Sequence, residues 1–333
     1  MKHASISIFV PHLACPNDCI FCNQRKISGT KEPTKNIHAY LLDALQKLPA
    51  KFTEVDIAFF GGSFTGIEEN QMRAYLAAAN EIRTKNNRIT GIRLSTRPDY
   101  ISEKILNILD EYHVTAIELG VQSMYDSILQ KANRGHTVQQ IIDAIKMIQK
   151  RNYELILQFM PGLPGDTDHT ILFTAKQIAA LSPDGVRIYP CVVIKGTKLE
   201  KLWMAGQYKP LQTDKAVELC AQIVRIFREK HIKILRIGLH SSDLIQTNSV
   251  AAGPFHPAFG ELVSQKLYLD TVMNQMKKKP PITNEILWVA PNCTSKMVGN
   301  KKNNIKQLEQ LFHYHFIVKE KKMDKDMIER SAI

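Results

Sequence analysis

The sequence predicts an α/β protein built from repeated strand–helix units. Short runs rich in β-branched and aromatic residues alternate with longer segments whose apolar residues have helical spacing. Strands that alternate with helices in this way form parallel βαβ units. Each predicted strand is followed by a polar or glycine-rich turn, and in parallel α/β barrels the turns at the carboxyl ends of strands carry the chemistry. The alternation alone permits either a partial barrel or a doubly wound open sheet.

Six strands are predicted before residue 190, with helical patterns between them. Their ranges are Ser5–Val10, Val55–Phe60, Ile92–Ser95, Ala116–Leu119, Leu155–Phe159 and Gly185–Tyr189. Thr137 and Gln140 have the spacing of a capping box, which predicts that a helix begins at this point.

Composition limits the class of protein and of partner. A chain of 333 residues, 44% of them hydrophobic, suffices for one large domain and a small one. The formal net charge of +12 favours a polyanionic partner such as RNA, although lysines also serve simply to solvate a surface. No stretch resembles a secretory signal, and no apolar run is long enough to span a membrane. With six cysteines in the chain, these features predict a reducing, cytoplasmic location without a disulfide framework.

Three closely spaced cysteines follow the first predicted strand. Cys15, Cys19 and Cys22 have the spacing Cys-x3-Cys-x2-Cys. Thiolates bind soft or borderline metals, including iron–sulfur clusters and zinc. Three thiolates can hold three irons of a cubane cluster and leave the fourth iron open to another ligand. His12 could instead complete a structural zinc site, so zinc stays an alternative at this point.

This spacing, with the aromatic Phe21 before the last cysteine, resembles the cluster motif of the radical S-adenosylmethionine (SAM) superfamily. The resemblance implies a partial (β/α)6 TIM-like barrel with a small basic α+β extension at the C-terminus. It also implies a [4Fe–4S] cluster held by the three cysteines, and a SAM molecule on the open iron that is cleaved to a 5′-deoxyadenosyl radical. Phe21 would lie beside this cofactor.

The turns after the second and third strands fit the same resemblance. Gly61, Gly62 and Ser63 are similar to the motif that orients the methionine amino group, because paired glycines let a ligand approach the backbone. The family often has an acidic residue or threonine where Ser63 stands. After the third strand, Ser95 and Arg97 are further candidates for contact with SAM. Arg97 would pair with the cofactor carboxylate or a substrate phosphate, or form a surface ion pair.

The fourth and fifth units narrow the resemblance. The Gly-Val-Gln-Ser run at 120–123 and the following Arg134 are similar to segments of the oxygen-independent coproporphyrinogen oxidases and of the Elongator catalytic subunit. This implies that Gln122 and Arg134 contact SAM, while a buried hydrogen-bonding side chain is the plainer interpretation of Gln122. In the fifth unit, Gly162 begins a Gly-Leu-Pro-Gly turn that would lie beside adenine. Gln158 is a candidate ribose contact, although some relatives have an acidic residue there.

From the sixth strand onward, the segments Arg187–Leu199 and Leu202–Lys209 look like the region that follows the barrel in the Elongator catalytic subunit and its shorter bacterial relatives. That family modifies the wobble uridine of tRNA. The resemblance runs from about residue 5 to 270. Two departures affect the expected reaction: the cysteine spacing is the short superfamily form, and the remaining sequence is too short for an acetyltransferase domain. Acetyl transfer is therefore not expected on this chain alone.

Three segments are predicted: a radical SAM core at 1–235, an Elongator-like extension at 236–280, and a small basic segment at 281–333. In the last segment Gly299 resembles the first glycine of the Gly-x-x-Gly hinge of a KH module, with Lys302 in place of the second. A simple βαβ cap is the alternative. The elements predicted there are strands Glu285–Val289 and Phe316–Val318, helix Asn303–Phe312 with Ile305, Leu308, Leu311 and Phe312 inward, and a frayed tail beyond Glu320.

The leading hypothesis is a radical SAM enzyme that modifies a uridine of tRNA and takes its electron from a donor such as flavodoxin or ferredoxin. One alternative is a radical enzyme acting on a porphyrin or another small molecule. Another alternative is a zinc-stabilised RNA-binding protein without catalysis, in which the glycine-rich turns would lack a purpose. The sequence indicates neither a catalytic side chain nor an oligomeric state.

Overall fold

The computed structural model describes residues 2–10, 19–23, 36–239 and 249–333. The chain divides into two compact units. The first comprises Met1–Gln212 and Ile226–Phe255, and the second comprises Thr213–Arg225 and His256–Ile333.

The first unit is an α/β partial barrel. Its strands are β1 (Lys2–Val10), β2 (Phe52–Gly61), β3 (Ile89–Thr96), β4 (Ala116–Gln122), β5 (Glu154–Phe159), β6 (Gly185–Ile188), β7 (Val193–Ile194), β8 (Lys233–Ile237) and β9 (Val250–Ala252). Among the residues described, seven parallel strands form one sheet in the order β1-β2-β3-β4-β5-β6-β8. Strands β7 and β9 form a separate antiparallel pair. The six predicted strands are confirmed, and β8 adds a strand that was not predicted.

Helices alternate with these strands, as the apolar periodicity predicts. They are α1 (Ile37–Lys47), α2 (Glu69–Lys85), α3 (Glu103–Glu111), α4 (Asp126–Lys131), α5 (Val138–Gln149), α6 (Asp168–Ala180), α7 (Lys198–Met204) and α8 (Thr213–Glu229). The predicted capping box is present at the start of α5: the Thr137 side chain accepts from the Gln140 backbone, and the Gln140 side chain accepts from the Thr137 backbone.

The two faces of the parallel sheet differ in character, because successive side chains of a strand point to opposite faces. On one face, strands carry fully buried apolar residues such as Ile57 of β2 and Ile117 of β4. On the other face, a group of charged residues that we call the inner-face network bonds across five strands. It consists of Asp56, Arg93, Glu118, Glu154 and Arg187.

The second unit combines the Thr213–Arg225 part of α8 with a mixed sheet and three further helices. Its elements are α9 (Phe259–Lys278), β10 (Glu285–Val289), α10 (Thr294–Val298), α11 (Asn303–Phe312), β11 (Phe316–Glu320) and β12 (Ile328–Ala332). Strand β10 lies between β11, which is parallel to it, and β12, which is antiparallel. Leu269 and Met276 of α9 share one apolar core with Leu287 of β10 and Leu308 of α11. The limit predicted at residue 280 therefore falls inside this unit, because α9 packs on the sheet that follows it.

Two predictions for this unit are wrong. The tail beyond Glu320 is not frayed throughout: β12 pairs with β10, Ile328 is buried in the core, and Arg330 makes two hydrogen bonds to Glu285 at 2.8 and 2.9 Å. Leu311 does not face inward, because 56% of it is exposed. On α11 the buried stripe runs through Ile305 and Leu308 at a spacing of three, and Leu311 continues past it to solvent.

None of the helices within the described ranges is long and apolar enough to cross a membrane.

Candidate functional site

The turns at the carboxyl ends of neighbouring strands contact one another, as expected for parallel strands. The backbone N–H of Gly62, after β2, donates to the carbonyl of Val10 at the end of β1, with N and O 3.2 Å apart. The hydroxyl oxygens of Thr65 and Thr96 lie 2.6 Å apart and join the turn after β2 to the end of β3. The glycine pair predicted from the sequence therefore lies at the same sheet edge as the end of β1.

The glycine turn has a backbone that favours glycine. Gly61 has φ +111°, and a Cβ added there would lie 3.0 Å from the Val10 carbonyl oxygen. Ser63 is buried, and its carbonyl accepts from the N–H of Gly66 at 3.0 Å. Glycine at position 61 thus lets the end of β2 lie close to the end of β1.

Residues 19–23, the described part of the cysteine segment, are held by backbone hydrogen bonds at two points. The N–H of Ile20 donates to the carbonyl of Ala132 at 3.2 Å, and the Ile20 carbonyl accepts from the N–H of Leu199 at 2.8 Å. The N–H of Cys22 donates to the carbonyl of Cys19 at 3.0 Å, so the two cysteines lie on one turn.

The side chains of this segment are only partly accessible. Cys19 is buried and Cys22 is half-buried. Phe21 packs against an apolar core that includes Ile20. Cys15 and His12, the remaining ligand candidates from the sequence, lie outside the described residues.

Arg134 connects the cysteine segment to the end of β4. Its Nη1 donates to the Sγ of Cys19 at 3.3 Å, and its Nη2 donates to the carbonyl of Gly120 at 3.0 Å. The side chain is buried, and its Nε has no hydrogen-bond partner among the described residues. A buried guanidinium remains charged. A permanent positive charge therefore lies against the sulfur of Cys19.

Gln122 ends β4 in an uncommon backbone conformation. Its φ is +68°, in the left-handed region, and the pairing of β4 with β5 shifts register between Gly120 and Gln122. A Cβ added to Gly120 would lie 2.9 Å from Gln122 Nε2 and 3.1 Å from Arg134 Nη2. Gln122 is buried, and its Oε1 has no hydrogen-bond partner within the described ranges. The glycine thus leaves space for two polar side chains, and one of them has an unused acceptor.

Arg97 is engaged by a carboxylate two residues further along the chain. Its Nε and Nη2 donate to the two carboxylate oxygens of Asp99 at 2.9 and 2.8 Å. Arg97 is buried, so the surface ion pair considered from the sequence is in fact a buried bidentate pair.

His136 lies beside this pair and was not predicted as a site residue. Its Nδ1 is 3.8 Å from an oxygen of Asp99, and its Nε2 is 3.4 Å from the Val121 carbonyl. Burial, followed by the positive charges of Arg134 and Arg97, lowers the pKa of His136 to about 3, against an opposing effect of Asp99. The imidazole is therefore neutral at physiological pH. Together we call Arg97, Asp99, Arg134 and His136 the strand-end cluster.

The Gly-Leu-Pro-Gly turn after β5 is shaped by two further residues that sequence reasoning missed. The carboxylate of Asp166 accepts from the N–H groups of Gly162 and Leu163, each at 3.0 Å. The hydroxyl of Tyr208 donates to the carbonyl of Gly162 at 2.7 Å. Burial raises the pKa of Asp166 to about 6, against the lowering effect of its hydrogen bonds. Gly162 has φ +89°, and a Cβ there would lie 2.8 Å from Leu211 Cδ1.

The two remaining candidates, Ser95 and Gln158, lie within strands rather than in turns. Ser95 on β3 is in register with Glu118 on β4. Gln158 on β5 is in register with Gly120 on one side and Arg187 on the other. Both are half-buried.

The donor set suits an anionic, thiolate-bound group. Two cysteines share one turn, and the buried guanidinium of Arg134 contacts one of their sulfurs. The strand-end cluster has two guanidiniums and one carboxylate, and that carboxylate is bonded to Arg97. Buried charge requires compensation, and thiolates or a ligand carboxylate would supply it here. The residues present therefore fit both an iron–sulfur cluster and an amino-acid-like cofactor.

Comparison with family models identifies two regions of the chain. Residues 9–178 match the model described as the Radical SAM superfamily, and residues 183–268 match the model described as the Radical_SAM C-terminal domain. The first match alone covers half of the chain.

The chain is also similar to individual proteins. It is 30% identical to a tRNA uridine(34) acetyltransferase of Methanocaldococcus infernus over 65% of this chain and 48% of that protein. It is 28% identical to Elongator complex protein 3 of Homo sapiens over 56% of this chain and 37% of that protein. The chain thus spans about half, or less, of the length of these curated relatives.

A solved structure of the archaeal Methanocaldococcus infernus Elp3 with an N-terminus deletion superposes with a TM-score of 0.64 at 26% sequence identity. The superposition covers 84% of this chain and 63% of that chain. The partial-barrel fold predicted from the sequence is confirmed by this likeness and by the parallel sheet.

Proposed function

Since the chain belongs to the radical SAM superfamily, we propose that it is the catalytic protein of a tRNA modification, acting on a uridine through a radical generated from SAM. Membership makes it an enzyme whose cofactors are a [4Fe–4S] cluster and SAM. The similarity to proteins named for tRNA uridine(34) and for Elongator supports the choice of substrate.

The observation that carries the proposal is the 3.3 Å hydrogen bond from Arg134 to the sulfur of Cys19 at the end of β4, where Arg134 also bonds the carbonyl of Gly120. Gln122 ends the same strand, two residues after Gly120. We assign Cys15, Cys19 and Cys22 as the cluster ligands. When bound, the cluster supplies one electron that breaks the C5′–S bond of SAM, giving methionine and a 5′-deoxyadenosyl radical. The chain's own part is to bind, orient and desolvate the reacting groups.

We assign the cofactor contacts by position along the sheet edge. The backbone of Gly61, Gly62 and Ser63 would receive the methionine amino group, and the unused acceptor of Gln122 would bind a donor of SAM.

The turn at Gly162, held by Asp166, would lie beside adenine. Phe21, Ser95 and Gln158 would make further contacts with SAM. Arg97 would bind the cofactor carboxylate. The buried, left-handed conformation of Gln122 supports its assignment, because backbone strain of this kind is concentrated at functional sites.

The second unit is assigned the contact with RNA. Between His256 and Ile333 there are thirteen lysines and arginines against eight aspartates and glutamates. The turn from Gly299 to Lys302 lies between α10 and α11 and precedes the start of α11, as the KH-like hinge predicted from the sequence requires. Lys301 and Lys302 both have left-handed backbone angles, with φ +50° and +62°. A cavity of about 930 Å³ in this unit is lined in part by Lys301 and Lys306.

The donor of the electron is proposed to be a flavodoxin or a ferredoxin, and the location to be the cytoplasm. The choice of donor follows from the chemistry of the superfamily, because cluster reduction needs a low-potential protein partner. The choice of location follows from the proposed role in tRNA modification.

The test of the function is an anaerobic assay. The protein is reconstituted with iron and sulfide, reduced, and given SAM, and 5′-deoxyadenosine is measured with and without bulk tRNA. We expect the formation of 5′-deoxyadenosine to rise with tRNA and to disappear in Cys19→Ala. Cleavage of SAM that is unaffected by tRNA would contradict the proposed tRNA substrate and favour a porphyrin or another small molecule. One bound zinc without iron, sulfide or cleavage would contradict the enzymatic assignment and favour a zinc-stabilised RNA-binding protein.

The RNA contact is tested separately by tRNA binding as a function of salt concentration. We expect the double variant Lys301→Gln/Lys302→Gln to bind more weakly and to have a shallower salt dependence, by about 0.7–0.9 in slope per lost phosphate contact. The variant Lys277→Gln/Lys278→Gln removes the same charge at the end of α9 and serves as the control. Equal losses in both variants would mean that net charge, and not the turn, determines binding.

A further inference from the structure

We propose that Arg134 is a positioning residue for the iron–sulfur cluster: it donates a hydrogen bond to the sulfur of Cys19 and thereby raises the reduction potential of the cluster. The inference rests on the proposed function in one respect, because it takes Cys19 as a cluster ligand. It differs from the SAM contact that the sequence implies for Arg134, and the two roles are separable by experiment.

The backbone holds Arg134 at a defined place. It lies in the loop after α4, between Asn133 and Gly135, whose φ values are +52° and +73°. Its own N–H donates to the carbonyl of Leu129 at 3.0 Å, which ties the loop to α4. Two left-handed residues on either side of a single arginine therefore fix the direction in which its side chain leaves the loop.

The cysteine segment is attached to this same loop by a contact that does not involve the arginine side chain. The N–H of Ile20 donates to the carbonyl of Ala132, two residues before Arg134, at 3.2 Å. This main-chain bond places Cys19 beside the loop. The 3.3 Å contact between Arg134 Nη1 and Cys19 Sγ is thus supported by an independent backbone contact.

The guanidinium is oriented as well as placed. Nη2 donates to the carbonyl of Gly120 at 3.0 Å while Nη1 faces the sulfur. A side chain at residue 120 would crowd this arrangement, since its Cβ would lie 3.1 Å from Nη2. Only 7% of Arg134 is exposed, and a charged hydrogen bond in such surroundings is stronger than one in water.

The effect on the cluster follows from charge. Reduction adds one electron to the [4Fe–4S]²⁺ state and gives [4Fe–4S]⁺, so a positive donor at a ligand sulfur stabilises the reduced form more than the oxidised form. Hydrogen bonds to the sulfurs are among the features that set the potential of such clusters. Among the described residues Arg134 makes no ion pair with a carboxylate, so its charge is not already neutralised by one.

The experiment is a reduction titration of the reconstituted protein in the absence of SAM, followed by electron paramagnetic resonance of the reduced cluster. Leaving SAM out removes any contribution of Arg134 to cofactor binding. The variants are Arg134→Met, which removes charge and donors, and Arg134→Lys, which keeps the charge but not the planar fork. Lys146→Met removes an exposed cation from α5, the next helix, and is the control. Iron and sulfide content are measured for each protein.

We expect the equilibrium constant for reduction to fall at least tenfold in Arg134→Met, which is about 59 mV for one electron. Arg134→Lys should lie between that variant and the wild type, and Lys146→Met should match the wild type. An unchanged potential in Arg134→Met with full cluster content would overturn the inference. If that variant does not assemble a cluster, Arg134→Lys decides: a lowered potential supports the inference and an unchanged one overturns it. A wild-type protein without a cluster would instead overturn the proposed function, and the inference with it.

Discussion

Two groups of buried and half-buried charges in the first unit differ in how they are neutralised. In the inner-face network, Arg93 bonds to Asp56, Glu118 and Glu154 at 2.8, 3.3 and 3.1 Å. Arg187 makes two hydrogen bonds to Glu118 at 2.8 and 2.9 Å. Two guanidiniums thus meet three carboxylates, and this network neutralises its cations without a ligand.

The strand-end cluster has the opposite balance. It contains two charged guanidiniums, Arg97 and Arg134, a neutral imidazole, His136, and one carboxylate, Asp99, which is bonded to Arg97. Because burying charge is costly unless it is paired, the first group is expected to serve stability and the second to be completed by a bound anion. The difference separates structural charges from functional charges in one sheet, and it can be tested residue by residue.

The largest expected effect is the loss of the cluster in Cys19→Ala. Removing this sulfur takes away one of the three thiolate ligands and the acceptor of the Arg134 hydrogen bond. We expect iron and sulfide content to fall to background after reconstitution, with the protein still folded. The control is Cys220→Ala, because Cys220 is fully buried on α8. A full cluster in Cys19→Ala would contradict the ligand assignment.

The next prediction distinguishes the inner-face network from the strand-end cluster by its contribution to the free energy of unfolding. Glu118→Gln removes the carboxylate that bonds both arginines of the inner-face network. We expect urea unfolding to give a free energy of unfolding lower by about 3–5 kcal/mol, the usual cost of breaking a buried pair. Iron content after reconstitution should stay unchanged.

Glu154→Gln is the comparison variant, because its side chain is 31% exposed and bonds Arg93 at the margin of the network. Its cost should be clearly smaller. A loss of cluster binding in Glu118→Gln without a loss of stability would break the distinction between the two groups.

The third effect is a pH dependence that belongs to the strand-end cluster. The folded pKa of His136, about 3, lies below its ordinary value of 6.5. The folded protein therefore binds fewer protons than the unfolded chain between these values. Above pH 6.5 His136 is neutral in both the folded and the unfolded chain, so it does not lower the free energy of unfolding. Below pH 6.5 the free energy of unfolding decreases, by up to about 1.4 kcal/mol per pH unit.

Between pH 7 and pH 5 this amounts to about 2 kcal/mol of unfolding free energy in the wild type. We expect His136→Gln to be less stable at pH 7 but to lose about 2 kcal/mol less between the two pH values. His169→Gln, at an exposed position of α6, is the control and should retain the wild-type pH dependence. Parallel curves for wild type and His136→Gln would show that His136 is not the titrating group.

The features that could be predicted from the sequence are those with a local signal. The strands were predictable because β-type runs and turn residues are local signals, and the glycine turns were predictable because a short motif carries them. Strand β8 escaped prediction because Lys233–Ile237 has mixed polarity and half-buried positions, and so does not have the pattern of a buried strand.

The contacts that define the site were not local. Cys19 and Arg134 are 115 residues apart, and only the fold shows that one bonds to the other. Asp99 was visible beside Arg97, but its bidentate geometry was not. His136 lies two residues after Arg134, so proximity in sequence was the one signal that could have identified it. The inner-face network joins residues 25 to 69 positions apart and left no motif.

The smallest expected effect concerns Gln122, and it applies only to the liganded protein. Its unused Oε1 faces no described donor, so removing it costs the free protein little. Gln122→Asn shortens the side chain and tolerates the left-handed backbone. We expect the reconstituted variant to melt at the wild-type temperature without SAM, and to bind SAM about tenfold more weakly, which is about 1.4 kcal/mol. The increase in melting temperature on adding SAM should therefore be smaller than in the wild type. Glu118→Gln should show the reverse, with a lower melting temperature but an undiminished response to SAM. If Gln122→Asn instead lowers the melting temperature of the free protein and leaves SAM affinity unchanged, Gln122 belongs with the structural residues.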